Sequence, residues 1–157
     1  MSYKNYEEAL EKAKLFDDYL DAGSMDIQLL EKIESAIGFK LSKQNYNYWK
    51  NYGFIAFSSV MLYGIGKNTF NGAPGYNSIN TLLVDRKDFN LPKSWIPIYG
   101  FGDENMAYLN YEDLNNENEP AIISAYYNGH EYVVTEKISD DLGDFILTLV
   151  NEQKTNQ

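Results

Sequence analysis

Apolar residues recur at helical spacing at both ends of the chain, whereas its middle holds short runs of aromatic and β-branched residues. This change of period constrains the fold most, because segregated helices and strands are typical of α+β rather than alternating α/β domains. We therefore predict an α+β fold with N-terminal helices and a C-terminal helix packed around a central, mainly antiparallel sheet. The length of 157 residues predicts a single domain over residues 1–157.

The first third of the chain predicts three short helices. The first helix is expected to stop at Gly23 and carries an apolar stripe made of Tyr6, Leu10, Ala13, Phe16 and Leu20. Ser24 is expected to cap a second helix with Asp26 in its first turn, and Gly38 to end it. Ser42 is expected to start the third.

The segment that follows changes character. Residues Phe54–Tyr63 predict one strand, since they are rich in aromatic and β-branched side chains. Residues Gly64–Tyr76, which include Pro74, predict a long glycine-rich loop that is a candidate for function. Ser78 is expected to cap a short helix that ends at Leu91-Pro92.

The second half predicts four antiparallel strands: Trp95–Tyr99, Met106–Tyr111, Ala121–Tyr127 and Glu131–Thr135. The pair Asn128-Gly129 indicates a hairpin, and Asn115–Glu119 a polar turn. Ser139 is expected to cap a last helix with an apolar face over Leu142–Val150 and a frayed tail over Glu152–Gln157.

The periodic apolar positions also predict the core. The expected core residues are Leu30, Ile33, Trp49, Trp95, Phe145 and Leu149. Tyrosine occurs 14 times, and its apolar ring with a polar tip suits both core edges and interfaces.

Few residues suit catalysis or cofactor binding. The chain has no cysteine, and its one histidine, His130, follows the predicted hairpin turn, so we expect it exposed and non-catalytic. The stretch Gly64–Asn68 is not a phosphate loop, because Met61 stands where a glycine and Asn68 where a hydroxyl residue is required.

Calcium loops are excluded by a similar test. The sixth position of an EF-hand loop is a glycine, but counting from Asp103 gives Tyr108 and counting from Asp113 gives Asn118. We therefore predict no metal, no cofactor and no catalytic residue.

The formal net charge of −10 limits the partners. It disfavours direct binding to nucleic acid or anionic membranes and favours a basic protein partner. Residues Met1–Leu20 lack the continuous apolar core of a signal peptide, and Phe54–Tyr63 is too short to span a bilayer. We predict a cytoplasmic protein.

The order of motifs resembles one known family. Its front signature is matched by Leu29–Glu34, Ile37–Ser42 and Tyr46–Gly53, and its rear signature by Ile96–Asn105, Tyr108–Tyr111 and Leu142–Val150. Over about residues 24–152 the chain is similar to the SUKH superfamily, with Ser42 in place of the usual proline. The family includes bacterial toxin-immunity proteins and a yeast cell-wall-synthesis regulator.

The resemblance implies helices on a central antiparallel sheet and binding of a cognate protein toxin, commonly a nuclease, by occlusion and without a cofactor. We expect a monomer or a weak homodimer. One alternative is a cytosolic regulatory or scaffold protein with several partners. A third hypothesis is a carboxylate-dependent hydrolase acting through Asp103 and Glu112.

Two groups of residues are candidates for the partner contact. The candidate acidic patch consists of Asp103, Glu104, Glu112 and Asp113. The candidate aromatic anchors border the glycine-rich loop and are Tyr63, Phe70 and Tyr76. Glu34, the acid of the family-like helix, is expected to make a structural hydrogen bond rather than to take part in chemistry.

Overall fold

A computed structural model of the chain describes residues 2–72 and 76–155. Within these ranges the helices are α1 (Ser2–Ala13), α2 (Ile27–Ile37), α3 (Lys43–Tyr52), α4 (Ser78–Phe89) and α5 (Leu142–Thr155). The strands are β1 (Leu20–Asp21), β2 (Ile55–Phe57), β3 (Val60–Met61), β4 (Trp95–Gly100), β5 (Met106–Leu114), β6 (Pro120–Tyr127) and β7 (Tyr132–Ser139). A 3₁₀ turn covers Thr69–Asn71.

The strands form two antiparallel sheets. The smaller has the order β1-β2-β3 and the larger β4-β5-β6-β7, so neighbours in each sheet are also neighbours in the chain. The backbone N–H of Tyr63, just after β3, donates to the carbonyl of Ile98 in β4 at 2.7 Å, which joins the two sheets. The predicted α+β class with a central antiparallel sheet is confirmed.

The large sheet has helices on both faces. Tyr99 is paired with Ala107, and its ring lies 5.9 Å from that of Phe145, which puts α5 on that face. Helix α1 packs along α5, and α4 packs along β4. The Phe89 ring of α4 contacts Tyr127, which lies on the opposite face of the sheet.

The predicted core is confirmed. The side chains buried between the helices and both sheets form one hydrophobic cluster, which includes Leu30, Ile33, Trp49, Trp95, Phe145 and Leu149.

The first helix is shorter than predicted. It ends at Ala13, and a turn leads to β1, where Leu20 pairs with Ala56 of β2. Phe16 still reaches the core from this turn, but Leu20 is 49% exposed. Leu20, which was predicted to lie in the last turn of the helix, therefore pairs in the small sheet instead.

The second helix starts later than predicted. Asp26, not Ser24, is its N-cap, and the Asp26 side chain makes no cap hydrogen bond. Gly38 ends α2 with a φ of 93°, as expected for a glycine C-cap. Ser42 caps α3 as predicted, since its Oγ accepts from the Asn45 N–H at 3.2 Å.

The single strand predicted over Phe54–Tyr63 is wrong. The chain reverses at Ser58-Ser59, so β2 and β3 form a tight hairpin. Ser58 adopts a positive φ of 53°, and its N–H donates to Asp18 at 2.8 Å. A contact from a distant turn thus fixes this reversal.

The cap of the next helix is Asn77, not Ser78. Asn77 Oδ1 accepts from the N–H groups of Ile79 and Asn80, while Ser78 is the first helical residue and donates its hydroxyl to Pro97 O. Of the predicted loop Gly64–Tyr76, Pro74 and Gly75 lie outside the described residues.

The β6–β7 hairpin is longer than predicted. Its loop has four residues, Asn128–Glu131, and β7 runs to Ser139 instead of stopping at Thr135. Ser139 therefore lies in a strand, and Asp141 caps α5 by accepting from the Asp144 N–H at 2.9 Å. The tail expected to fray from Glu152 is helical through Thr155.

Candidate protein-binding surface

Tyr63 and Tyr76 meet at the two ends of the glycine-rich loop. Gly64 makes this possible, because a Cβ there would collide with the backbone of Gly53. The N–H of Gly64 donates to Tyr76 O at 2.9 Å, and the two tyrosine rings lie edge to face at 5.3 Å. Tyr76 remains 49% exposed, so this predicted pair presents an aromatic surface.

Phe70 takes a different position. It lies on the 3₁₀ turn and is half-buried against the core, with the ammonium of Lys32 4.6 Å above its ring. Its described contacts hold the loop against α2, and its ring is not stacked on Tyr63 or Tyr76.

The four predicted acids are exposed but do not form one patch. Asp103 and Glu104 lie in the turn between β4 and β5, whereas Glu112 and Asp113 lie near the other end of β5. The six residue-to-residue steps from Met106 to Glu112 span roughly 20 Å. Asp113 is also partly neutralised by Lys137 at 3.3 Å.

A cluster of aromatic rings, which the sequence analysis did not group, covers the sheet face that meets α4. Trp95 and Tyr108 have ring centroids 5.1 Å apart, and Tyr132 lies 5.9 Å from Trp95. Tyr127 is paired with Tyr132 across the hairpin, so their side chains share this face. Together with the loop pair they form the surface that we call the tyrosine face: Tyr63, Tyr76, Tyr108, Tyr127 and Tyr132, with Trp95 and Phe89.

Helix α4 adds one acid to the tyrosine face. Leu82, Asp85 and Phe89 share one side of the helix by their spacing, and Leu82 is buried while Asp85 is only partly exposed. Burial, with a smaller contribution from Asp88, raises the pKa of the Asp85 carboxyl. Its charge is therefore less well solvated than that of an ordinary surface acid.

The charge of Asp85 contributes to the raised pKa values of three tyrosines of this face. Burial raises the pKa of Tyr132 to about 12, and the charge of Asp85 is the next largest cause. Burial likewise raises the pKa values of Tyr63 and Tyr108, with further contributions from neighbouring tyrosines and from Asp85. Asp85 precedes Phe89 by four residues in α4, and the Phe89 ring lies 5.0 Å from that of Tyr127, so the acid lies on the side of the helix that faces these rings.

A sequence signal for this site did exist. Tyr127 and Tyr132 lie on either side of Asn128-Gly129, which indicates that one hairpin holds both, and Asp85 interrupts the apolar side of its helix. The closeness of these elements could not be predicted, because it depends on how α4 packs on β4.

No catalytic constellation is found in the part of the chain that the structure describes. His130 is exposed in the β6–β7 loop, as predicted, and its backbone N–H donates to Asn128. Over residues 2–72 and 76–155, no three histidine or carboxylate side chains are grouped so that they could hold a metal ion. None of the helices in these ranges has the length and apolar character needed to cross a membrane.

Comparison with known proteins identifies the family. The sequence model of SUKH_6, described as SMI1-KNR4 cell-wall, matches residues 27–146. The chain belongs to the SUKH superfamily. Among curated proteins, none matches this SUKH chain significantly.

The front signature of this SUKH domain is a hydrogen-bonded unit. Glu34 Oε2 accepts from the Leu41 N–H at 2.8 Å, and Glu34 Oε1 lies 3.6 Å from the ammonium of Lys40. Gly38 and Ser42, which stands in place of the usual proline, give the turn between α2 and α3 its two caps. Glu34 thus makes the structural hydrogen bond that was predicted.

Proposed function

We propose that this SUKH protein is a non-catalytic, cytoplasmic immunity protein that binds a cognate protein toxin and neutralises it by occlusion. The toxin is proposed to be a basic nuclease bound in a 1:1 complex. The observation that carries the proposal is the family match over residues 27–146, since SUKH members are generally non-catalytic immunity proteins.

The charge of the chain supports this partner class. Its formal net charge of −10 complements a nuclease, whose own nucleic-acid site is basic. Exposed acids at both ends of β5 and a partly exposed tyrosine face provide charged and aromatic contacts of the kind found at protein interfaces.

The proposal expects a secreted-toxin gene beside the gene of this chain, and the test is a protection experiment with the toxin domain of that gene. Cells that express the toxin domain are expected to survive only when this chain is co-expressed, and the purified pair is expected to form a 1:1 complex. Absence of both protection and binding would overturn the proposal.

The two acidic groups can be compared in the same assay. The double variant Asp103→Asn/Glu104→Gln and its matched counterpart Glu112→Gln/Asp113→Asn each remove two charges at one end of β5. If the acids at one end of β5 contact the toxin, the double variant at that end should associate with the toxin more slowly than the parent does. Added salt should reduce this difference in association rate. Equal association rates for both variants and the parent would exclude these acids as contacts.

A cytosolic regulator is the second candidate, because the description of the matching family refers to the cell wall. A regulator is expected to bind several partners and to give no protection against a neighbouring toxin. Affinity purification from the native cells, quantified by mass spectrometry, distinguishes the two.

A further inference from the structure

Asp85 is an acid without a positive partner. No described lysine or arginine forms an ion pair with it. The adjacent Arg86 is occupied elsewhere, since its guanidinium donates to the carbonyls of Ile37 at 2.9 Å and Lys93 at 2.6 Å. A partly desolvated carboxylate therefore remains uncompensated beside the tyrosine face.

The rings of the tyrosine face offer the surfaces that a cation prefers. Trp95 and Tyr108 are nearly fully buried, whereas Tyr76 and Phe89 are 49% and 40% exposed. Tyr132 and Tyr127 are half-buried, with ring centroids 5.2 Å apart. A flat cation can stack on such rings while it pairs with the carboxylate.

Elsewhere the chain fills comparable positions with its own lysines. Ammonium groups lie above the rings of Tyr52, Phe70 and Tyr3, at 5.0, 4.6 and 3.9 Å from the ring centroids. In the described parts of the chain, no such internal cation lies above a ring of the tyrosine face. This acid and these rings are therefore left for a cation from another molecule.

We propose that the tyrosine face binds an arginine side chain of a basic protein partner, with Asp85 as its ion-pair acceptor. Arginine fits better than lysine, because its planar guanidinium can stack on a ring and donate two parallel hydrogen bonds to one carboxylate. The identity of the partner as the toxin rests on the proposed function, whereas the binding of arginine does not.

The first experiment tests the arginine site alone. The ¹H–¹⁵N NMR spectrum of the full chain is titrated with N-acetyl-arginine methylamide, and the citrulline analogue of the same shape serves as the uncharged control. We expect saturable shifts at Asp85, Tyr63 and Tyr132 with the arginine probe, and affinity at least tenfold weaker for citrulline.

Two variants make this titration decisive. Asp85→Asn keeps the shape of the side chain and is expected to weaken the arginine probe at least tenfold, with the rest of the spectrum unchanged. Asp17→Asn removes the same charge from an exposed turn outside every candidate contact and is expected to bind the probe like the parent. Equal binding of citrulline, unchanged affinity in Asp85→Asn, or shifts confined to other acids would overturn the arginine site.

The second experiment uses the toxin domain. If the tyrosine face contacts the toxin, the Asp85→Asn variant should bind the toxin at least tenfold more weakly than the parent does. A variant that protects cells and binds the toxin like the parent would overturn that contact, but it would not contradict the immunity function. If the parent chain fails to bind or protect while the arginine probe still binds at Asp85, the immunity function fails and the arginine site stands.

Discussion

The backbone N–H of Gln44 donates to the buried carboxylate of Glu119 at 3.2 Å, although 75 residues separate them. This bond ties the turn between β5 and β6 to the first turn of α3. The Gln44 side chain continues the connection, because its Oε1 accepts from the Gly143 N–H at the start of α5 at 2.8 Å. One buried polar path thus connects the sheet with two helices.

Replacement of Glu119 is expected to separate the effect of the bond from that of the charge. Glu119→Ala removes the carboxylate that accepts from the Gln44 N–H and should lower the free energy of unfolding by about 1–3 kcal/mol. Glu119→Gln keeps an acceptor oxygen and should cost less. Urea denaturation measures both, and equal losses in the two variants would contradict the assignment.

The same residue predicts a pH dependence. Burial raises the pKa of Glu119 above its ordinary value of 4.5, so the folded state holds this proton more tightly than the unfolded state. The stability gained from that proton is present below pH 4.5 and is lost as the pH rises through the raised pKa. Relative to the parent, Glu119→Gln should therefore gain stability as the pH rises through this window, and a stability difference that does not change with pH in urea denaturation would contradict this.

Gly143 is expected to tolerate no side chain. A Cβ there would lie 2.6 Å from the Tyr6 Cα, so Gly143→Ala forces α1 and α5 apart. The expected loss is about 1–3 kcal/mol in the free energy of unfolding. Gly66→Ala is the matched control, because its Cβ would meet no atom within 4 Å and its φ is not positive. Similar melting temperatures for the two variants would refute the close packing.

Asn77, which directly follows the glycine-rich loop, is expected to hold that loop against the start of α4. Its Oδ1 caps α4 and accepts from the Thr69 hydroxyl at 2.6 Å, while its amide donates to Thr69 O at 3.0 Å. Asn77→Ala should cost about 1–3 kcal/mol and speed hydrogen exchange at Thr69. Asn77→Ser can still cap the helix, so it should lose less stability but show the same faster exchange.

Three residues of the tyrosine face, Tyr63, Tyr108 and Tyr132, predict alkaline instability. Their raised pKa values mean that the folded state keeps these protons, so stability is lost as the pH rises from the ordinary value of 10 towards 12. Because Asp85 contributes to the shift, Asp85→Asn should lower the pKa of Tyr132, as measured by ¹³C NMR of its Cζ. An unchanged pKa would show that the carboxylate is not close to this hydroxyl.

Local chemistry explains which elements were predicted correctly. Gly38 permits a positive φ, Ser42 supplies a cap oxygen, and the apolar faces of α2 and α5 have helical period, so each could be recognised from a few neighbouring residues. The wrong predictions share a non-local cause. Leu20 joined a strand because β2 was available, and the chain reversed at Ser58 where Asp18 accepts its N–H.

In the candidate site, too, some features depend on local sequence and others on contacts between distant residues. The sequence by itself determined the charge, the abundance of tyrosine, the lack of cysteine and the family signature, because these depend on residue types and their order. Only the tertiary structure brought Asp85 of α4 to the face that carries tyrosines of β5, β6 and β7, and only it separated Glu104 from Glu112 along β5. That placement depends on helix packing and strand register, whose energies are summed over contacts between residues far apart in the chain.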